Sequence, residues 1–203
     1  MIVIIDYGMG NLRSVEKGFL KVGMDVNVVS HPKAIDNASA VVLPGVGSFR
    51  DCIRNLQKMS LVDSIIRSIQ KGKPYLGICL GLQILFTESE EFGLCKGLDI
   101  FDGRVLRFHV KLKVPHMGWN NITMIRRPPI LNGIQDEAFF YFVHSFYVVP
   151  NNSDIIATTT DYGVKFTSMI WKDNIFATQF HPEKSQEKGL RILKNFGDFS
   201  KKA

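Results

Sequence analysis

The stretch YLGICLGLQ, residues 75–83, places Cys79 between two glycines at the junction of two different patterns. The residues before Cys79 form a short apolar run, which is typical of a strand buried on both faces of a parallel sheet. The residues after it, to about position 90, have a helical pattern. The stretch therefore predicts a strand, a sharp turn at the cysteine and a helix.

The segments around this stretch predict alternating strands and helices. The apolar runs at residues 1–6, 25–30 and 40–45 are typical of short buried strands. Residues 11–23 and, in two pieces, residues 48–72 have helical patterns. Strands that alternate with helices favour a three-layer α/β fold with a parallel sheet.

The second half of the chain has a different pattern. Residues 104–114 (RVLRFHVKLKV) alternate basic and apolar side chains, and this period of two predicts a half-buried strand. Further strands are predicted from residue 138 to 180 and a final helix at residues 185–199. We find no linker, repeat or low-complexity segment, so we expect one domain over residues 1–203.

Composition limits the class of protein. The 203 residues are 45% hydrophobic and 22% charged, which indicates a globular chain. No apolar run approaches the ~18 residues of a membrane span, and Asp6 interrupts the apolar N-terminus, so we expect neither a signal peptide nor a membrane anchor. Three cysteines, an odd number, favour a reducing cytoplasm. The net charge of +6 leaves nucleic-acid binding as a weak alternative to a solvated basic surface.

Cys79 has the features of an activated nucleophile. Gly77 and Gly81 allow the tight packing of a strand-to-helix turn, as in the Gly-x-nucleophile-x-Gly elbow. A helix N-terminus favours thiolate over thiol, and the backbone N–H of Leu80 is expected to form half of an oxyanion hole. The alternative is a cysteine buried in a glycine-rich packing contact.

A candidate base lies 102 positions later (181 minus 79), in the segment ATQFHPEKS. Pro182 favours an extended conformation at His181, and residues two apart in an extended chain project to the same side. Glu183 is then expected to hold one imidazole nitrogen while the other faces Cys79. Each residue alone has an ordinary structural or solvated interpretation, but together they predict a Cys-His-Glu triad.

These motifs resemble the triad-type, class I glutamine amidotransferases. The motifs DYGMGNLRSV, LPGVGSF, GICLGLQ, VPHMGWN, YFVHSFY and ATQFHPEKS follow one another in this order along the chain. This order resembles that of the glutaminase subunits of imidazole glycerol phosphate synthase, and the resemblance extends from Ile2 to about Phe199. The resemblance implies a flavodoxin-like fold with a mostly parallel central sheet and additional antiparallel strands.

The resemblance also implies roles for residues whose pattern alone does not assign one. The second half of the oxyanion hole is expected at Val46 and Gly47. The residues implied in glutamine binding are Gly45, Gly47, Gln83, Glu91 (for the α-amino group), Ser145 and Phe146 (for the carboxylate). The residues implied in partner docking are Asn11, Trp119, Tyr141 and Lys184.

The resemblance implies the hydrolysis of L-glutamine to glutamate and ammonia, with no metal or other cofactor. The ammonia is expected to pass to a cyclase subunit, a (β/α)₈ barrel, in a heterodimer that serves histidine biosynthesis. A related glutaminase that serves another synthase, such as one aminating a surface sugar, stays open. A non-catalytic binding subunit is a second alternative, and the intact triad argues against it.

Overall fold

The computed structural model describes residues 1–202, which contain fourteen strands and six helices. The strands are β1 (Ile2–Ile5), β2 (Val26–Val29), β3 (Ala40–Gly45), β4 (Tyr75–Cys79), β5 (Phe86–Ser89), β6 (Cys95–Lys96), β7 (Phe101–Arg107), β8 (His116–Asn121), β9 (Thr123–Met124), β10 (Phe139–His144), β11 (Phe146–Pro150), β12 (Ile156–Asp161), β13 (Lys165–Lys172) and β14 (Ile175–Thr178). The helices are α1 (Leu12–Lys21), α2 (Pro32–Asn37), α3 (Phe49–Lys58), α4 (Val62–Gln70), α5 (Leu80–Gln83) and α6 (Gln186–Ser200).

The first half of the sheet is parallel, in the order β2-β1-β3-β4-β14. Its strands are apolar on both faces because helices cover both sides. In β1, Ile2 and Ile4 belong to one hydrophobic cluster, whereas Val3 and Ile5 belong to the other. This arrangement confirms the predicted three-layer α/β fold.

The helices form the two outer layers. On one face, α1 packs on α6, and the rings of Phe19 and Phe196 meet edge to face at 6.2 Å. On the other face lie α2, α3 and α4, whose apolar sides bury Ile35, Ile53 and Ile65. No helix within residues 1–202 is long and apolar enough to cross a membrane.

The second half of the sheet is mainly antiparallel, as expected. From β14 it continues through β13, β11 and β7, and β5 then returns parallel to β7. β8 and β10 form a separate two-stranded antiparallel sheet in which Trp119 is paired with Tyr141. This small sheet is continuous in sequence with the active-site region, because β10 ends at His144 and β11 begins at Phe146.

Two expectations from the sequence are wrong in extent. The helix after Cys79 has only four residues, because the chain then turns into β5. The backbone N–H groups of Leu98 and Ile100 donate to the carbonyl oxygens of Ile84 and Leu85. These carbonyl groups therefore do not accept the hydrogen bonds that would continue the helix. The strand predicted at residues 104–114 ends at Arg107.

Candidate active site

Cys79 lies at the last position of β4, in a strained conformation. Its φ of 55° and ψ of −102° are rare for a residue with a side chain, and such strain is common at functional turns. The next residue, Leu80, begins α5. β4 lies between β3 and β14, all three parallel, so the carboxyl ends of these strands meet at one edge of the sheet.

The two glycines of the turn are required by close backbone contacts. A Cβ atom at Gly77 would lie 2.4 Å from the carbonyl oxygen of Gly81. A Cβ atom at Gly81 would lie 1.9 Å from the carbonyl oxygen of Leu43 in β3. Any side chain at these positions would push α5 away from the sheet and displace Cys79.

His181 and Glu183 form a buried pair beside this turn. Nδ1 of His181 lies 2.8 Å from Oε1 of Glu183, and His181 is 1% exposed. His181 is extended as predicted, with φ of −101° and ψ of 98°. The extended conformation does not continue, because residues 182–184 form a 3-10 turn. The expected contact is therefore present, but a turn brings Glu183 to His181.

The charge state of His181 depends on its neighbours. Burial acts to lower its pKa, but Cys79 and Glu183 more than offset this effect and raise the pKa to about 10. Nε2 of His181 is buried and is left without a hydrogen-bond partner among residues 1–202. With Nδ1 held by Glu183, the arrangement favours the protonated imidazolium form of His181 beside Cys79.

A cavity of about 260 Å³ opens over Cys79. It is lined by eight residues that the sequence singled out: Val46, Gly47, Cys79, Leu80, Gln83, Glu91, Ser145 and Phe146. Gly45, also expected here, is paired with Cys79 in the sheet, and a Cβ atom on it would lie 2.7 Å from the Leu80 Cβ. The cavity has room for one small substrate with its reactive carbon at the sulfur.

Glu91 is the acidic group of the cavity. Its Oε2 accepts a hydrogen bond from the backbone N–H of Phe49, at the first turn of α3, at 2.6 Å. Burial raises its pKa, against the lowering effect of that N–H. The carboxylate is thus anchored by one oxygen at a helix N-terminus.

Three further cavity residues, and one residue beneath them, were not predicted. Pro115, Val143 and His144 line the cavity. Gln179 is buried, and its Nε2 lies 3.5 Å from Sγ of Cys79. The sequence offered one signal for Gln179, which is its place at a predicted strand end, two residues before His181 in the segment ATQFHPE. An amide that is buried at such a position needs hydrogen-bond partners.

His144, at the cavity wall, and His116 form a buried neutral pair. Nδ1 of His144 faces the carbonyl oxygen of Phe146 at 2.8 Å, so it carries the proton, and its Nε2 accepts from Nδ1 of His116 at 2.9 Å. Burial lowers the pKa of His116 to about 4 and, with a smaller contribution from the neighbouring histidines, that of His144 to about 3. The pair therefore holds the backbone of Phe146 at the cavity wall.

The residues expected at a partner surface are largely grouped. On the β8–β10 sheet the rings of Trp119 and Tyr141 lie 6.3 Å apart, and Nζ of Lys184 lies 5.7 Å from the Tyr141 ring centroid. Trp119 is 47% exposed. Asn11 is exposed at the start of α1, where its side chain accepts from the backbone N–H of Ser14. The backbone carbonyl of Tyr141 accepts from the N–H of His181, which links this surface to the candidate base.

Comparison with known proteins identifies the family. The model of the family described as glutamine amidotransferase class-I matches residues 3–198, nearly the whole chain. The chain belongs to the class I glutamine amidotransferase family. Cys79, His181 and Glu183 all lie within the matched part of this amidotransferase.

Named relatives narrow the position of this amidotransferase within its family. A protein of Syntrophotalea carbinolica, named imidazole glycerol phosphate synthase subunit HisH, is 57% identical over 98% of this chain and 100% of its own. A protein of Geobacter sulfurreducens with the same name is 56% identical over 97% of this chain and 98% of its own. Among solved structures, one of PurLQS from Thermotoga maritima superposes with a TM-score of 0.75 at 17% identity, over 98% of this chain and 97% of its own. That last likeness concerns the fold alone.

Proposed function

We propose that this amidotransferase hydrolyses L-glutamine to glutamate and ammonia at Cys79 and supplies the ammonia to the cyclase subunit of imidazole glycerol phosphate synthase, in histidine biosynthesis. The observation that carries the proposal is the position of Cys79. It lies in a strained turn that opens into a small cavity, beside the buried pair of His181 and Glu183. The full-length relatives named as subunit HisH support the assignment to this synthase.

In the first half of the reaction, the Cys79 thiolate attacks the carboxamide carbon of glutamine. His181 carries a proton at neutral pH, because the neighbouring thiolate and Glu183 raise its pKa. It gives that proton to the amide nitrogen as the carbon–nitrogen bond breaks, so ammonia leaves and a thioester remains. Glu183, held at Nδ1, orients the ring and stabilises its charged form.

In the second half, neutral His181 takes a proton from a water molecule as that water attacks the thioester carbon. The carbon–sulfur bond then breaks, glutamate leaves and Cys79 returns to the thiolate beside a protonated His181. Both halves pass through an oxyanion. We assign its stabilisation to the backbone N–H of Leu80 and to the peptide units at Val46 and Gly47, which line the cavity.

The cavity wall provides groups for both ends of glutamine. The anchored Glu91 carboxylate is suited to the α-amino group. The backbone of Ser145 and Phe146, at the join of β10 and β11, is suited to the α-carboxylate. Gln83 lines the cavity too, but both hydrogens of its amide already have protein acceptors.

We propose that the cyclase, a (β/α)₈ barrel, docks on the β8–β10 sheet and the adjoining end of α1. Trp119, Tyr141, Lys184 and Asn11 would then lie in the contact, beside the exposed Met117 and Phe139. Exposed aromatic and methionine side chains on one small sheet are typical of protein interfaces. The complex would be a cytoplasmic heterodimer. Residues 1–203 would contribute one glutaminase domain to it.

The test is growth of a histidine auxotroph that lacks its own glutaminase subunit, on low ammonium. The wild-type chain should restore growth and Cys79→Ser should not. Growth with Cys79→Ser would contradict the role of the thiolate. A chain that hydrolyses glutamine yet fails to restore growth would instead favour the alternative, a glutaminase that serves another synthase.

A further inference from the structure

A buried side-chain amide contacts the reacting sulfur, and the reaction described above does not use it. Gln179 follows β14 and is fully buried. Its Nε2 lies 3.5 Å from Sγ of Cys79, and its Oε1 accepts a hydrogen bond from Nε2 of Gln83 at 3.1 Å. The other contact of the Gln83 nitrogen is the backbone carbonyl oxygen of Phe146, at 3.0 Å.

The backbone determines the orientation of both amides. The Phe146 carbonyl oxygen can only accept, so the Gln83 atom that faces it is the nitrogen. The second hydrogen of this nitrogen points to Gln179, whose facing atom must then be Oε1. Gln179 is left with its N–H group directed at Sγ. A flip of Gln179 would set two nitrogen donors against each other and an oxygen against the sulfur.

An N–H group in this position distinguishes the two forms of Cys79. A thiol sulfur is a weak acceptor, whereas a thiolate is a strong one, and a buried donor without a good acceptor is costly. We propose that Gln179 is a further catalytic residue, which stabilises the Cys79 thiolate by hydrogen bonding, and that Gln83 is a positioning residue which orients the Gln179 amide. This inference rests on the proposed function in that it concerns the same sulfur.

The amide of Gln179 is a hydrogen-bond donor to the sulfur at every stage of the reaction, whereas His181 is not. His181 has given up its proton when ammonia leaves, and it then acts as a base toward water. The Gln179 N–H group does not titrate, so it remains a donor while the sulfur departs from the thioester as a thiolate. Gln179 should therefore stabilise the sulfur both before attack and as the leaving group.

The experiment measures alkylation of Cys79 by iodoacetamide against pH, in the full-length chain and without glutamine. The thiolate displaces iodide, so the rate follows the thiolate fraction. Mass spectrometry of the Cys79 peptide separates this reaction from any at Cys52 or Cys95. In Gln179→Met, the pH of half-maximal rate should rise by about one unit, the size expected for a hydrogen bond to a charged group. The matched control is Gln70→Met, at an exposed position, which should leave the profile unchanged.

Two further variants separate donation from packing. Gln179→Glu keeps the shape but replaces the donor by an acceptor, so the half-maximal pH should rise more than in Gln179→Met. Gln83→Met should produce a smaller rise, and the double variant Gln83→Met/Gln179→Met should show no larger shift than Gln179→Met alone. A structural role would not produce this order.

A folded Gln179→Met protein with the wild-type alkylation profile overturns the inference. Thermal unfolding establishes that each variant is folded. Should Gln179→Met fail to fold, Gln179→Glu is measured in its place, and an unchanged profile there overturns the inference equally. Since the assay contains no glutamine, its result does not depend on the proposed glutaminase activity. If the wild-type chain in complex with the cyclase does not hydrolyse glutamine but Gln179→Met shifts the profile, the proposed function fails and the inference stands. If the wild type hydrolyses glutamine and Gln179→Met leaves the profile unchanged, the inference alone fails.

Discussion

At the scale of single residues, the chemistry depends on how burial and neighbours set the charge of each histidine. His181 is buried beside two acidic groups, and its pKa is raised to about 10. His116 and His144 are buried among aromatic rings and each other, and their pKa values are lowered to about 4 and about 3. A histidine is therefore expected to be charged beside Cys79, at position 181, and neutral at positions 116 and 144.

His181→Ala should reduce kcat for glutamine hydrolysis by at least about a thousandfold, because His181 carries the transferred proton in the proposed mechanism. Glu183→Gln should reduce kcat less, since Glu183 orients the base without carrying the transferred proton. The measurement is steady-state glutaminase activity, with Glu187→Gln as the control at an exposed position.

Both variants should still support synthase activity in complex with the cyclase when ammonium salts replace glutamine. A folded complex that cannot use added ammonia would contradict the division of labour between the subunits.

Stability should depend on pH through the neutral histidine pair. The folded pKa values of His116 and His144 lie below the unfolded value of about 6.5, so their contribution is fully present above pH 6.5 and is lost as pH falls toward 4 and 3. His181 acts in the opposite sense, and its contribution is lost as pH rises toward 10. In His144→Gln, the free energy of unfolding should fall less between pH 7 and 4.5 than in the wild type.

Denaturant titrations across this range provide the measurement, and the exposed His109→Gln is the matched control. If His144→Gln and the wild type lose stability in parallel, the neutral pair does not contribute in the way described.

At the scale of elements, the turn between β4 and α5 depends on backbone contacts that a side chain would prevent. Strand β3 passes so close to α5 that its Leu43 carbonyl oxygen occupies the place of a Cβ atom on Gly81. α5 is short because β5 begins three residues after it and pairs with β7. The local sequence favours a longer helix. The backbone N–H groups of residues 97–101 instead donate to the carbonyl oxygens of residues 84–87, and these hydrogen bonds outweigh the helix propensity.

Gly81→Ala should lower the free energy of unfolding by roughly 3 kcal/mol, in the range of an overpacked core, and should reduce glutaminase activity with it. Gly72→Ala is the control: its φ is 76°, but nothing lies within 4 Å of a Cβ atom there. It should lose only about 1 kcal/mol, for backbone strain, and keep full activity. Denaturant unfolding measures both, and equal losses in the two variants would contradict the contact with β3.

At the scale of the whole molecule, the candidate base and the exposed sheet are physically connected. The N–H of His181 donates to the carbonyl of Tyr141, and Oγ of Ser185 accepts from the N–H of Tyr141. On another side of the cavity, Gly47 has a φ of 104° beside the exposed Val46, so this turn can rotate a peptide at low cost. The proposed docking on the exposed sheet would act on the base through these hydrogen bonds, and a low-cost peptide rotation at Gly47 would act on the expected oxyanion hole.

We therefore predict that the isolated chain hydrolyses glutamine slowly, and that the cyclase with its own substrate bound raises kcat far more than it lowers KM. Gain or loss of one oxyanion donor changes the rate about a hundredfold or more. The donor stabilises the transition state and not the bound substrate, so its effect is on kcat. Steady-state kinetics with and without partner and ligand test the point.

Trp119→Ala should weaken the activation by removing contact area from the docking surface, while leaving the slow activity of the isolated chain unchanged. Full activity from the isolated chain, unaffected by the partner, would rule this mechanism out.

The sequence by itself determined the alternation of strands and helices, the elbow at Cys79 and the pairing of a histidine with a glutamate. These features depend on local periodicity, on glycine spacing and on residues two positions apart. Tertiary structure alone decided that α5 ends after four residues, that a 3-10 turn brings Glu183 to His181, and that Gln179 meets the sulfur from 100 positions away. The physical reason is that each of these features depends on contacts between segments that fold together. A local pattern does not show which group from another segment will form a hydrogen bond with a buried donor or acceptor.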